Sequence, residues 1–399
     1  MNAAAPDDAS GRRIWLRDIA LSSVAAGFVT VLVGFTSSAV IVFQAAQALG
    51  ASAAETASWL WALGIGMGVT CIGLSLRWRI PVVTAWSTPG AAMLIASNAG
   101  VPLSDAIGAF VLVAALTAIV GFSGVFERGM RRVPLTLASG LLGGVLLRFG
   151  MDVFVSMRAQ MAMTLAMFVV YLCGRRWFPR YAVLATLLVG MAIAGGSGLL
   201  HLDDVELRIA RPIFTMPSLS FAAVFGIALP LFVVTMASQN IPGVAVLRAS
   251  GYAPPVSSTI GWIGIANTLL APFGAYSLCM AAITAAICSG REAHPEPSKR
   301  YVASVFAGIF YLFTGVFGAT VAALFAAFPK ELVMAIAGLA LFGTIGNSLA
   351  VALREDRDRE AALITFLVTA SGFSLGGIGS AFWGLIAGGI ALLLRPRAR

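Results

Sequence analysis

Val82-Val83-Thr84-Ala85-Trp86-Ser87-Thr88-Pro89-Gly90, running on as Ala91-Ala92-Met93-Leu94-Ile95-Ala96, is the stretch that decides the fold. A polar break closed by proline and glycine is followed by a helix-compatible run far short of the roughly 20 residues that cross a bilayer. A second break, Pro272-Phe273-Gly274-Ala275-Tyr276-Ser277, leads into Leu278-Cys279-Met280-Ala281-Ala282-Ile283. Short, interrupted apolar segments at matching places in two halves of a membrane chain are the best sequence pointer to a transporter's binding site.

The surroundings of these breaks are a polytopic membrane protein. Of 399 residues, 59% are hydrophobic and 11% charged, against roughly 25% charged in soluble domains. Fourteen membrane segments are read at 19–48, 56–76, 82–97, 104–126, 134–153, 160–174, 180–200, 219–247, 256–271, 275–290, 300–326, 330–353, 360–375 and 377–394. A polar, basic stretch of 18 residues precedes the first, and the apolar run after it is too long for a cleaved signal sequence. Cys71, Cys173, Cys279 and Cys288 lie in or beside apolar segments without metal-ligand spacing and read as small packing residues.

The net charge of +9 does not point to nucleic acid, because of where the charge sits. Placed on this segment map, 21 of 26 basic residues fall on one side, from Arg12, Arg13 and Arg17 through to Arg395, Arg397 and Arg399. Arg158, Arg208, Arg211 and Lys330 fall on the other, and Arg148 lies inside a segment. The positive-inside rule then places both termini in the cytoplasm. Discarding segments 3 and 10 as too short gives loops of the wrong sign.

The halves repeat. Ala106 to Pro134 is similar to Tyr301 to Pro329, each with Gly-Val-Phe and a closing proline (Gly124-Val125-Phe126; Gly315-Val316-Phe317). Segments 1 and 8 are both long and carry polar clusters, Thr36-Ser37-Ser38 and Ser238-Gln239-Asn240. Seven segments per half is an odd number, so the second half is inverted, as in many secondary transporters. The expected organisation is a tail over 1–18, repeats over 19–200 and 219–394, and an external loop over 201–218.

Thr88 before Pro89 reads as a hydroxyl N-cap with proline at the first helical position, and Ser277 reads as the cap of segment 10. Residues 82–86 and 272–276 read as short strands. Two opposed half-helix starts present backbone N–H groups and positive dipole ends, which suit an anion without a buried cation. Ser37, Ser38, Ser87, Thr88, Gln239, Asn240 and Ser277 supply polar uncharged groups, and Phe35, Trp86 and Tyr276 supply aromatic surface for a planar apolar body. The competing reading for the hydroxyls is ordinary helix–helix hydrogen bonding, and for the rings lipid or interfacial packing. Arg148, with Asp152 at i+4, reads either as a local ion pair or as an attractor for an anionic substrate. No HExxH, Walker A or GxSxG pattern occurs, and His201 and His294 lie in loops. Neither a catalytic residue, a resident cofactor nor a metal is expected.

Three stretches carry a family resemblance: Gly34-Phe35-Thr36-Ser37-Ser38-Ala39 with Val42-Phe43-Gln44-Ala45-Ala46; Thr84 to Ala92; and Ser238-Gln239-Asn240-Ile241-Pro242-Gly243. The chain resembles the benzoate/proton symporters of the BenE family along almost its whole length. At fold level it is similar to the uracil/purine and sulfate permeases. The resemblance implies proton-coupled uptake of benzoate across the bacterial inner membrane. It also implies a core domain from 19–126 and 219–326 and a gate domain from 134–200 and 330–394. Where nucleobase permeases carry acidic residues in segments 8 and 10, this chain reads Ser238-Gln239-Asn240 and Tyr276-Ser277-Leu278. A site without a carboxylate suits an anion, and it leaves the proton without an obvious carrier. The expected partners are an aromatic carboxylate, protons and the lipid bilayer, with a homodimer as the assembly to test. The alternatives are a carrier of another organic or inorganic anion or a nucleobase, or an anion channel on the same fold.

Overall fold

A computed structural model describes residues 17–96, 101–130, 133–200, 209–318, 320, 328–373, 375 and 380–394. Most of the N-terminal tail, Arg131, Arg132, the acidic part of the 201–218 loop and the last arginines lie outside the described residues. The main helices, in chain order, are α1 (Leu21–Ala48), α2 (Ala53–Trp78), α3 (Thr88–Ala96), α4 (Leu103–Phe122), α5 (Leu135–Ser156), α6 (Met161–Trp177) and α7 (Ala182–Gly196). They continue as α8 (Phe221–Ala249), α9 (Val256–Leu270), α10 (Ile283–Ser289), α11 (Tyr301–Val316), α12 (Lys330–Ala352), α13 (Arg359–Ala370) and α14 (Ser380–Leu394). Strands β1 (Thr84–Trp86) and β2 (Leu278–Met280) complete the plan. Six of the described helices are long and apolar enough to cross a membrane by length and composition: α2, α4, α5, α8, α12 and α9 with its following turn.

Local chemistry sets several of these ends. Ser52 and Glu55 form a capping box at the start of α2, where the Ser52 hydroxyl accepts from the Glu55 N–H at 3.2 Å and the Glu55 carboxylate accepts from the Ser52 N–H at 2.8 Å. Arg79 closes α2 with a φ of 52°, turning the chain back under the helix into β1. In α8 the helix widens to π geometry at Val224–Ala228 and Met236–Asn240. Pro230 and Pro242 explain the places: each lacks the N–H that would bond four residues back, at Gly226 and Ser238.

The packing exchanges the halves. α2 lies against α11, and its counterpart α9 lies against α4. Both pairs approach backbone to backbone. A Cβ on Gly64 would stand 2.4 Å from the Gly315 Cα, and one on Gly121 would stand 2.4 Å from the Gly261 nitrogen. α5 packs on α12, where a Cβ on Gly338 would meet the Phe149 carbonyl oxygen at 2.2 Å. β1 pairs antiparallel with β2, with Thr84 opposite Met280, Ala85 opposite Cys279 and Trp86 opposite Leu278. α1–α4 with α8–α11 make one packed group and α5–α7 with α12–α14 another; α5 meets α8, and α1 meets α12, across the seam between them.

The second break differs from its sequence reading. Residues 271–273 form a single 3₁₀ turn ended by Gly274, whose φ of 103° needs glycine. The strand comes later, at Leu278–Met280, and the helix begins only at Ile283. Ser277 therefore caps nothing; it precedes a strand. The reason is long-range. Leu-Cys-Met is apolar enough for either conformation, and the backbone edge of β1 supplies the hydrogen bonds that settle it.

Candidate functional site

The two breaks meet in the middle of the first helix group. The ladder extends past the strands: the Ser87 N–H donates to the Ser277 carbonyl at 3.1 Å, and the Ala281 N–H donates to the Val83 carbonyl at 2.9 Å. Backbone that leaves a helix at membrane depth must find partners in the protein, and here each half supplies the other's.

Ser87, not Thr88, caps α3. Its hydroxyl accepts the Gly90 N–H at 3.2 Å, and its carbonyl accepts the Ala91 N–H at 2.9 Å. Thr88 and Pro89 are thus the first two helical residues, one position on from the sequence reading. α10 starts differently: Ala282 sits at its N-cap and offers no side-chain acceptor.

A cavity of about 80 Å³ opens beside this junction. Thr88 lines it from α3, and Ile283 and Thr284 from the first turn of α10. Ala85 and Trp86 come from β1, Gly34 and Ser38 from α1, and Gln239 from the second π segment of α8. Met67, Tyr311 and Phe149 complete the walls with Val33, Ala281 and Ala282, and none of these groups is charged. Trp86 is held on two sides. Its indole N–H donates to the Ser38 hydroxyl at 2.9 Å, which in turn donates to the Gly34 carbonyl at 3.0 Å. Phe35 stands edge-on to the indole at 5.5 Å between centroids.

Of the residues singled out from the sequence, Ser38, Trp86, Thr88 and Gln239 line the cavity. Several of the others stand behind it. The Asn240 carboxamide oxygen accepts the Met280 N–H at 2.9 Å and its nitrogen reaches the Met236 sulfur at 3.0 Å, so this side chain anchors β2. Thr235 bridges Ser87 at 2.9 Å and Ser277 at 3.1 Å. Tyr276 is fully buried against Trp59 and Phe110 and donates to the Ser87 carbonyl at 2.9 Å. Phe35 supports Trp86 from outside the cavity. Ser37 lies on α1, with its side chain outside the described ones. Arg148 is exposed on α5 and Asp152 is half-buried one turn later; neither lines the cavity.

Sequence reasoning missed Gly34, Met67, Thr284 and Tyr311. Gly34 had a signal, since it stands one turn ahead of Ser37 and Ser38 in the polar cluster Thr36-Ser37-Ser38. Thr235, which ties both breaks together, sits one turn ahead of the Ser238-Gln239-Asn240 cluster.

The fold and site together define a helical membrane protein of two interlocked, inverted repeats, whose broken segments enclose a small uncharged cavity. A family model, the benzoate membrane transport protein family BenE, matches residues 17–394. The chain belongs to that family. It is 47% identical to the inner membrane protein YdcO of Escherichia coli (strain K12), over 92% of this chain and 94% of that protein. It is 39% identical to the benzoate membrane transport protein of Acinetobacter baylyi, over 96% of this chain and 98% of the other. Among solved structures, the overall structure of SLC26A9 aligns with a TM-score of 0.50 at 12% identity, over 95% of this chain and 66% of that one. At that identity the likeness concerns the fold alone.

Proposed function

We propose that this protein imports benzoate together with protons across the bacterial inner membrane, by alternating access, with both termini cytoplasmic. The observation that carries the reading is the cavity itself: the Thr88 hydroxyl, the Gln239 amide and the start of α10 line one uncharged space together with Trp86, whose indole is held by Ser38. A carboxylate is satisfied by hydroxyl and amide donors at helix starts, and a ring by aromatic surface. Family membership and the names of the two relatives support the substrate and the membrane. In this reading the group α1–α4 with α8–α11 is the core that carries the site, and α5–α7 with α12–α14 is the gate.

The cavity is smaller than the roughly 150 Å³ that holds benzene in an engineered protein core. Benzoate therefore enters by displacing a wall. Phe149, which the gate helix α5 contributes, is the wall that core movement withdraws.

The test is uptake of labelled benzoate into proteoliposomes above protein-free controls, with internal pH followed in parallel. Benzoate uptake accompanied by proton entry and abolished by a protonophore is the expected result. Charge movement without proton entry removes the symport reading. A counterflow panel in which another anion or a nucleobase outcompetes benzoate reassigns the substrate.

A further inference from the structure

A second, larger cavity of about 870 Å³ lies between the two helix groups, on the side marked by the basic loops. Its core wall is the segment after α10, from Ser289 to Arg300, and its gate wall comes from α5, α6 and α12. Among the described residues, an ion pair crosses it. Arg175 of α6 donates to the Glu292 carboxylate at 2.7 Å. The two ends are unlike: the Glu292 side chain is 8% exposed and that of Arg175 is 46% exposed. Glu292 is pressed against α12 at Gly343, where a Cβ would stand 2.6 Å from the carboxylate oxygen and 3.3 Å from the Arg175 nitrogen. Glycine is what lets the pair sit there.

The segment bearing Glu292 is itself firmly built. The buried Arg300 donates to the carbonyls of His294 at 2.8 Å, Ser289 at 2.9 Å and Pro295 at 3.3 Å. Glu292 is thus a carboxylate on a rigid arm of one group, held by a cation of the other, beside a cavity that admits water.

Resting on the core and gate proposed above, we infer that Glu292 is a latch worked by protons from the basic-loop side, holding core to gate when ionised and releasing it when protonated. Hydronium reaching the cavity gives its proton to the carboxylate and leaves water; the carboxylic acid so formed is neutral, and the Arg175 guanidinium loses its charged partner. The charged and titratable groups facing Glu292 are Arg175 and Tyr171 from α6, and Arg291 and Arg300 from its own arm. α12 meets it with Gly343, and Ser22 of α1 with Val183 and Leu184 of α7 bring no charge. Burial lifts the Glu292 carboxyl above the usual range; its own backbone N–H and the three arginines lower it only in part. The sign follows: the latch is closed above that raised value and opens as pH falls through it.

The test uses the full chain in proteoliposomes. Labelled-benzoate exchange is followed above protein-free controls while the pH on both faces is varied together. Exchange by the unsubstituted protein is expected to rise as pH falls, and exchange by Glu292→Gln to stay high throughout. A Glu292→Gln profile that still rises as pH falls overturns the inference. If the unsubstituted protein moves no benzoate, the fault lies with the substrate assignment, and hydrogen exchange judges the latch. Gln mimics the protonated acid, so segment 290–299 exchanges faster at constant pH; equal exchange overturns the inference. Should Glu292→Gln fail to fold, Arg175→Gln decides. It strands Glu292 without its cation and moves the acid limb of hydrogen exchange in 290–299 to higher pH, and an unmoved limb overturns the inference.

Discussion

Gly34→Ala tests whether the small cavity is the substrate site. Gly34 lies on α1 and lines that cavity. A Cβ there would stand 3.1 Å from the Tyr311 hydroxyl oxygen and 3.4 Å from the Thr284 Cγ2. Both neighbours line the same cavity, so the methyl fills space a ligand would occupy. The contact with Tyr311 is tight, and the ring needs to give by a few tenths of an ångström. For the fold, overpacking costs about 1–3 kcal/mol, offset by about 1 kcal/mol from replacing glycine with alanine within a helix. Net stability is expected to fall by no more than about 2 kcal/mol. For the ligand, one methyl against a filled pocket is worth about 1–3 kcal/mol, or about 10- to 200-fold. The assay is saturation binding of labelled benzoate to purified protein, with thermal unfolding in the same detergent. Gly73→Ala is the control, since a Cβ at Gly73 meets nothing within 4 Å; its affinity is expected to match that of the unsubstituted protein. Gly34→Ala with unchanged benzoate affinity and intact fold refutes the placement of the site.

Three further outcomes follow from the same geometry. Thr88→Val removes a cavity hydroxyl; if Thr88 bonds the carboxylate, uptake affinity drops by about 10- to 150-fold, from the 1.5–3 kcal/mol typical of a hydrogen bond to a charged group, while the unfolding midpoint stays put. Ser277→Ala and Asn240→Leu are expected to do the reverse: about 1 kcal/mol of stability lost with the Thr235 hydroxyl bond, and about 1–3 kcal/mol where the Met280 N–H is stranded, with benzoate affinity retained by whatever protein stays folded. Gly338→Ala drives a Cβ to 2.2 Å from the Phe149 carbonyl, and loss of a monodisperse peak in size-exclusion chromatography is the expected readout.

The first break was legible almost to the residue because its signals are local: a β-favouring Thr-Ala-Trp, then hydroxyls and a proline at a helix start. The cap fell on Ser87 rather than Thr88: both hydroxyls can cap, serine somewhat better than threonine, and Ser87 is the one whose backbone is held by the ladder to Ser277. The second break was legible as a break but not in its register. Pro272 and Gly274 mark a real turn, yet the strand that follows is chosen by an edge 194 positions earlier in the chain, at Ala85 opposite Cys279. The site was legible as a chemical type rather than as a list. Polar residues near a break divide between those that face the cavity and those that satisfy displaced backbone, and a sequence gives both the same composition. The π turns of α8 explain the division there. By shifting the helix phase between Met236 and Asn240 they set Gln239 on the cavity while Asn240 turns to β2. Pro242 was the available signal.

The β1–β2 ladder also dictates an order of manufacture. At about 5–20 residues per second, a ribosome reaches Cys279 roughly 10–40 seconds after Ala85. Throughout that interval Thr84, Ala85 and Trp86 are in the membrane or its insertion machinery without their strand partner, where each unmet backbone group costs several kcal/mol. The first half of the chain therefore waits with β1 unpaired until the three residues of β2 arrive from the second half.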